Sequence, residues 1–248
     1  MFSRTPFVLL AALAVMLGFP GVGAGQADAA LPPWMRFTGG LVVGQPVGTF
    51  AKGVGGAVGW EFSGRIPLDG SDRVALRVFL GDMLYGWKRE KVCGSSWNPC
   101  DWPEAWTTNS VFFGGIGPEV SFEVGHVRPY LNLWVGFGQF GTTTRIRDGW
   151  WDWGGEKNDV FLEGAFSGGL GAGFDAEIRG GGNPIHLNFG AQYHDNGMAE
   201  YLTSGNVVHD PEGNVTLSPK TGPANFITYR IGFTIAVDRP GKEGPNQR

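Results

Sequence analysis

Cysteine, lysine and helical periodicity are scarce in this chain of 248 residues, and each scarcity excludes a class of protein. Two cysteines are too few for a disulfide-rich scaffold. After residue 30 no stretch repeats apolar residues at helical spacing for several turns, which argues against a helical domain. A net charge of -4 gives no indication of a nucleic-acid partner. Glycine is abundant, with 43 residues, and 13% of the chain is aromatic, a composition that favours a single β domain.

The amino terminus has the layout of a secretory signal peptide. Arg4 precedes an apolar run at 7–17, and the A-x-A cleavage site at 27–29 follows it. The apolar run is too short to cross a bilayer as a helix, which takes about 20 residues. We therefore predict a signal peptide at 1–29 and an exported mature chain, with a buried amino-terminal helix as the alternative.

Apolar and polar residues alternate along eight segments, which is the pattern of β-strands with one apolar face. The segments are 35–44, 58–68, 73–87, 112–124, 128–144, 160–177, 185–193 and 227–237. Their connections alternate in length: those at 68–72, 125–127 and 179–184 are tight, and those at 45–55, 88–109, 146–159 and about 200–223 are long. This rhythm is typical of an up-and-down membrane barrel with short periplasmic turns and long outer loops.

The distribution of lysine indicates which strand face meets water. None of the six lysines lies in the middle of a predicted strand, although a water-facing strand face would carry several. The polar face is mostly glycine with a few charges, which fits the narrow interior of an eight-stranded barrel, and the apolar face fits lipid. A soluble barrel with an apolar interior is the alternative. Asp82 falls on the apolar face, so we expect a β-bulge near Gly81 or emergence of the strand from the membrane there.

The chain resembles the OmpA/OmpX-like family of small outer-membrane β-barrel proteins from about residue 36 to residue 237. The resemblance rests on GLVVGQPVGTFAKGVGGAVGWEF, on FFGGIGPEVSFEVGHVRPYLNLWVGFGQF and on FGAQYHDNGMAEYL. It implies an eight-stranded barrel that has no catalytic role in most members. The chain departs from the family at its end, because a polar tail follows the last strand where such barrels usually end on an aromatic residue.

Together these patterns predict an all-β fold, an eight-stranded antiparallel up-and-down transmembrane barrel at 30–238, with a polar tail at 239–248. We expect it in the cell outer membrane, in contact with outer-membrane lipid, lipopolysaccharide and the outer-membrane assembly machinery, and with no nucleic-acid partner. The function predicted is structural or surface-interacting. The alternatives are a lipid-modifying enzyme of the lipid A deacylase kind and a narrow ion channel.

Alternation also places charged residues inside the barrel. The predicted lumen network consists of Arg36, Arg65, Arg77, Arg230, Glu61, Glu119 and Glu163. Asp175, Glu123 and Glu177 fall on the same face. Because an unpaired buried charge is very costly, these groups should pair and fill the lumen, and Arg77 and Arg230 should each bind one of the three network glutamates. A gate or selectivity ring is the alternative to simple filling.

Six of the ten tryptophans fall in two predicted outer loops. They are Trp97, Trp102, Trp106, Trp150, Trp151 and Trp153. They either pack on one another above the barrel or form a binding surface for sugar, lipopolysaccharide or protein. The first of these loops contains Cys93 and Cys100, which an oxidising exported setting predicts to be disulfide-bonded.

Catalytic and metal motifs are weak. Lipid A deacylases have a serine two residues after a histidine, whereas here His194 is followed by Asn196, and Ser204 lies farther along the chain. The acidic residues of the loop at 148–159 do not match a calcium-binding EF-hand loop. We therefore predict no enzymatic activity, no cofactor and no metal site. His194 is expected to lie in the lumen near the outer rim, hydrogen-bonded to Asp195, Asn196 or a loop.

Overall fold

The computed structural model describes residues 33–91, 104–147, 157–180, 184–203, 207–209 and 215–237. The predicted signal peptide and polar tail, as well as Cys93, Cys100 and Ser204, lie outside these stretches. So do Trp97, Trp102, Trp150, Trp151 and Trp153. Within the described part, no helix is long and apolar enough to cross a membrane.

Eight strands close into one antiparallel barrel. They are β1 (Met35–Pro46), β2 (Ala57–Pro67), β3 (Val74–Lys91), β4 (Glu104–Ser121), β5 (Val127–Arg147), β6 (Lys157–Arg179), β7 (Ile185–Asp195) and β12 (Phe226–Val237). Each strand pairs with the barrel strand that precedes it, and β12 closes the barrel by pairing with β1. The predicted all-β fold with a closed eight-stranded antiparallel barrel is confirmed.

Four short strands lie in the connection between β7 and β12. They are β8 (Met198–Tyr201), β9 (Val207–His209), β10 (Val215–Leu217) and β11 (Lys220–Pro223). β8 pairs with β11, and β9 pairs with β10. In the sequence the turn-forming residues DPEGN stand between the two paired runs.

The connections alternate in length as predicted. The short ones join β2 to β3, β4 to β5 and β6 to β7 at one end of the barrel, which we call the turn end; we call the opposite end, where the other strand termini lie, the loop end. In the first short turn the Leu68 amide donates to the Val74 carbonyl at 2.8 Å. Gly125 adopts a φ of 62° in the second, a conformation that glycine tolerates without strain.

The outer wall of the barrel is apolar. Leu41 and Phe166 are 70% and 75% exposed on the outward face, and Phe62, Leu133 and Phe233 are exposed on the outward faces of three other strands. Inward positions carry the buried arginines and carboxylates described below, together with aromatic side chains. The faces are therefore assigned as the lysine distribution predicted, with apolar residues outside.

Strands β3 to β6 are longer at the loop end than their hydrophobic alternation predicts. β4 begins at Glu104, so that Trp106 lies on a strand and not in the loop where we expected it. In this region threonines replace the apolar residues, and the hydroxyls of Thr107 and Thr144 lie 3.1 Å apart across the ladder. Strand pairing continues there, but threonines stand on the outward face as well, at Thr108 and Thr143, so the alternation of apolar and polar residues that marks a strand in lipid is missing.

The β-bulge in β3 also differs from its predicted position. The ladder with β4 shifts between Leu84 and Gly86, several residues beyond Gly81. Asp82 keeps its outward orientation and is paired with Phe112 on β4. The bulge turns Tyr85 into the lumen, where it is 5% exposed.

Inward glycines allow the strands to approach closely where the barrel coils. Gly136 on β5 faces Gly115 on β4, and a Cβ at residue 136 would lie 2.6 Å from the Gly115 Cα atom. Any side chain there would collide with the backbone of the neighbouring strand, which cannot shift cheaply. Gly164 on β6 is exposed and has open space around its own Cβ position.

We expect Gly136→Ala to destabilise the barrel by about 1–3 kcal/mol because of this overpacking. Gly164→Ala is the matched control and should change stability by less than about 0.5 kcal/mol. Urea midpoints of barrels refolded in detergent micelles compare the two variants. Equal midpoints would contradict the close approach of β4 and β5.

Candidate functional site

Asp72, in the turn between β2 and β3, gathers three arginines at the turn end of the lumen. Arg36 donates from Nε and Nη2 to Asp72 Oδ2 at 3.1 and 3.0 Å. Arg65 Nη1 lies 3.1 Å from Oδ1, and Arg128 Nη1 lies 2.5 Å from Oδ2. Burial alone would raise the pKa of Asp72, but the hydrogen bond from Arg128 and the nearby guanidinium charges hold it below its ordinary value.

A second layer of ion pairs lies deeper in the lumen. Arg77 Nη2 donates to Glu61 Oε1 at 2.8 Å, and Arg230 Nη1 donates to the same oxygen. Glu119 joins the two layers, because its Oε1 lies 2.7 Å from Arg65 Nε and its Oε2 lies 3.5 Å from Arg77 Nη1. Paired charges therefore run without interruption from the turn end into the barrel.

Neutral groups complete the network on the far wall. Arg230 donates from Nε to Asn188 Oδ1 at 2.8 Å and from Nη2 to the Tyr130 hydroxyl at 2.9 Å. Asn188 and Thr234 in turn donate to Asp175 Oδ1, at 2.8 and 2.9 Å. Strands β5, β6, β7 and β12 are tied together across the lumen by these contacts.

The structure brings six of the seven predicted lumen residues into this network: Arg36, Arg65, Arg77, Arg230, Glu61 and Glu119. Arg77 and Arg230 share Glu61. Glu163 is not part of it, since it is half-buried opposite Phe140 toward the loop end and makes no ion pair within the described residues.

Sequence reasoning missed Arg128 and Asp72. Arg128 is the first residue of the predicted strand at 128–144 and lies two residues before the buried Tyr130, so the alternation of that strand already placed it on the inward face. Asp72 lies in a turn with a φ of 55°, where alternation does not apply.

Aromatic side chains fill the loop end of the lumen. Phe50, on a short 3-10 helix (Phe50–Lys52) that follows β1, is 2% exposed. Its ring centroid lies 4.8 Å from that of Tyr201, 5.5 Å from Tyr85 and 6.0 Å from Phe140, all in edge-to-face arrangements. The Tyr85 hydroxyl donates to the Leu202 carbonyl at 3.2 Å, which joins β3 to the segment after β8.

His194 lies between the ionic and aromatic parts of the lumen and is fully buried. Its ring stacks on Phe226 with a centroid distance of 4.4 Å and lies 4.8 Å from the Trp134 ring. His194 Nε2 is 3.2 Å from Thr228 Oγ1, so the expected partners Asp195, Asn196 or a loop were wrong. A catalytic histidine is oriented by a carboxylate, whereas this imidazole is held by a threonine and aromatic rings.

The long strands β3 to β6 project from the loop end as a four-stranded sheet. β2 pairs with β3 only as far as Leu84, and β7 pairs with β6 only from Gly168 onward, while the ladders joining β3, β4, β5 and β6 continue beyond those points. We call this region the projecting sheet. It is formed by residues 85–91, 104–110, 141–147 and 157–167.

One row of the projecting sheet combines basic and aromatic residues. Arg89 on β3, Trp106 on β4, Arg145 on β5 and Lys157 on β6 are directly paired. The Arg89 guanidinium carbon lies 5.1 Å from the centroid of the Trp106 ring, a cation–π contact. Trp87, on the same outward face, is 75% exposed, and Arg89 and Arg145 are also exposed.

No protein-family model and no curated protein matches the chain. Among solved structures, the chain is similar to Neisserial surface protein A, with a TM-score of 0.43 and 11% identity over 82% of this chain and 96% of that one. It is also similar to Ail, the attachment invasion locus protein of Yersinia pestis, with a TM-score of 0.43 and 10% identity over 83% and 99%. A complex of Ail with the heparin analogue sucrose octasulfate gives 0.42 and 10% over the same shares. At these values the similarity carries no argument about function.

We expect Glu61→Gln to destabilise the barrel by about 3–5 kcal/mol, because it leaves two buried arginines without their shared carboxylate. Glu163→Gln removes an inward carboxylate that has no ion pair among the described residues, and it should cost less than about 1 kcal/mol. Urea midpoints of the refolded variants provide the comparison. If the two midpoints coincide, the lumen is not held by ion pairs.

Proposed function

We propose that the protein is an integral outer-membrane β-barrel with a surface-interaction role, exported through a cleaved signal peptide. The observation that carries this proposal is the projecting sheet, which extends from a closed barrel with an apolar outer wall. The barrel anchors and orients the sheet, and the sheet presents the contact surface.

Membrane insertion is supported by the composition of the outer wall. Soluble monomers rarely expose contiguous apolar patches larger than a few hundred Å², yet large apolar side chains are exposed on most of the strands of this barrel. Lipid would remove these apolar side chains from water, and a closed barrel leaves no unpaired strand edge within the bilayer. The short turns then face the periplasm and the long connections face outward.

The lumen supports a structural role and argues against the alternatives. Ion pairs fill the turn end and aromatic rings fill the loop end, which leaves little room for a narrow ion channel. The one histidine considered for lipid hydrolysis, His194, is fully buried inside the barrel and away from the lipid-facing wall. No observation favours catalysis over surface interaction.

The outward face of the projecting sheet suits phosphorylated lipopolysaccharide. The row formed by Arg89, Trp106 and Arg145 continues the outer wall directly beyond its apolar part, and in the orientation proposed above this row would lie at the level where lipid headgroups begin. Guanidinium groups bind phosphate oxygens in a bidentate geometry, and tryptophan is enriched at membrane–water interfaces. We therefore infer that this row contacts the phosphate groups of outer-leaflet lipopolysaccharide.

Outer-membrane insertion has a direct test. The mature protein should sediment with outer membranes and migrate faster on gels before heating than after it, because a folded barrel resists detergent unfolding. Fractionation of cells that express the full chain checks both expectations. Recovery of the mature protein as a soluble periplasmic species would refute membrane insertion.

We expect the double variant Arg89→Gln with Arg145→Gln to bind lipopolysaccharide about thirtyfold more weakly, since each basic residue near an anionic surface contributes about 1 kcal/mol. Binding is measured for barrels in nanodiscs titrated with lipopolysaccharide and with its dephosphorylated form. The wild-type protein should prefer the phosphorylated form.

The matched control is Arg73→Gln with Arg179→Gln, which removes two exposed arginines from the turn end. It should bind both lipids as the wild-type protein does. An equal loss in the two double variants would mean that net charge, and not the projecting sheet, determines binding. Such a result would leave the membrane location of the barrel unaffected.

A further inference from the structure

The buried charges of the lumen do not balance. In the described part of the barrel, five arginines are at most 7% exposed: Arg36, Arg65, Arg77, Arg128 and Arg230. Four carboxylates are equally buried: Glu61, Asp72, Glu119 and Asp175. Arginine remains protonated in proteins, so this cluster carries one excess positive charge. An uncompensated charge in so little solvent is costly. Glu123 Oε1 lies 3.9 Å from Arg128 Nη1, but its side chain is 76% exposed, so its charge is largely screened by solvent and only partly offsets the buried excess.

A small cavity lies where this excess is concentrated. Four of the five arginines and two of the four carboxylates line it, together with hydroxyl groups. The lining includes Arg36, Arg77, Ser63, Thr38 and Asp175. The cavity volume is about 10 Å³, which is enough for one particle of the size of a water molecule.

Two guanidinium nitrogens of arginines that line the cavity have no hydrogen-bond acceptor among the described residues. Arg36 uses Nε and Nη2 for Asp72, and its Nη1 is buried without a hydrogen-bond partner; Arg77 Nε is buried without one as well. Asp175 makes no ion pair with the described arginines, and its Oδ1 accepts hydrogen bonds from Asn188 and Thr234. Its charge on the cavity wall weakens anion binding but leaves both donors unsatisfied.

We propose that this cavity, after a small outward shift of its flexible arginine side chains, binds one small monovalent anion such as chloride, which acts as the missing counter-ion of the lumen network. A spherical anion accepts hydrogen bonds from several directions, so it can accept from both Arg36 Nη1 and Arg77 Nε. The hydroxyls of Ser63 and Thr38 can rotate to donate to it. The site is independent of the contact proposed for the projecting sheet.

Anion-dependent stability tests the proposal. Barrels refolded in detergent are unfolded by urea in sodium chloride, sodium bromide or sodium gluconate at matched ionic strength, and gluconate is too large for the cavity. Chloride and bromide should raise the folded-to-unfolded ratio in a saturable manner, by about tenfold at ten times the dissociation constant. Equal midpoints in all three salts would mean that the cavity holds water only, and would overturn the proposal.

Two substitutions at one residue locate the effect. Ser63→Asp places a carboxylate in the cavity and should abolish the chloride response, whereas Ser63→Asn, of similar size and neutral, should retain it. If Ser63→Asp does not fold, Arg36→Gln serves instead. It removes the excess charge while Asp72 keeps Arg65 and Arg128, and it too should abolish the response. A chloride response that persists in the variant tested contradicts the assignment to this cavity.

Bromide-soaked crystals supply a direct readout through anomalous scattering. A peak within reach of Arg36 Nη1 and Arg77 Nε that disappears in Arg36→Gln supports the site. Peaks confined to the protein surface would identify an adventitious ion only and overturn the proposal.

Discussion

The rest of the barrel depends on the two ion pairs that the buried carboxylate of Glu61 makes with Arg77 and Arg230. This carboxylate accepts hydrogen bonds from Arg77 on the adjacent strand β3 and from Arg230 on β12, the last barrel strand in the chain. Through Arg230 it reaches Tyr130 on β5 and Asn188 on β7. The outer wall is largely apolar, so most of the side-chain hydrogen bonds that join different strands lie inside the barrel. One buried anion therefore connects strands from both ends of the chain across the lumen.

The two ends of the lumen are filled by different chemistry for a common physical reason. An eight-stranded barrel is just wide enough for its inward side chains to fill, so each group must find its partner among those opposite. At the turn end, Asp72 and its arginines meet this requirement with paired charges. At the loop end, Phe50 and Tyr201 meet it with edge-to-face ring contacts. At both ends, inward side chains contact one another across the lumen.

Alternation in the sequence was sufficient to identify all eight barrel strands and to orient Arg77 and Glu61 inward, because a side-chain period of two applies wherever one strand face meets lipid. It failed where that condition ends. Asp72 lies in a turn, and Phe50 enters the lumen from a 3-10 helix between strands. Trp106 lies on a part of β4 whose neighbours are threonines, so the strand continues without any apolar signal. Backbone pairing with the neighbouring strands determines the structure there, and such pairing produces no alternation of apolar residues that a single sequence could show.

The edges of the projecting sheet determine how it can interact. Its two edge strands, β3 and β6, both have a register irregularity beside the same row, in which Thr142 Oγ1 donates to Asn109 Oδ1 at 2.7 Å. A β-bulge disrupts the ladder and increases strand twist, and proteins use bulges to make exposed edges poor templates for another strand. Since both edges are bulged where the sheet leaves the barrel, addition of a partner strand is disfavoured there. Recognition should then occur through the broad outward face, on which Arg89 and Trp106 are neighbours in one row across the strands.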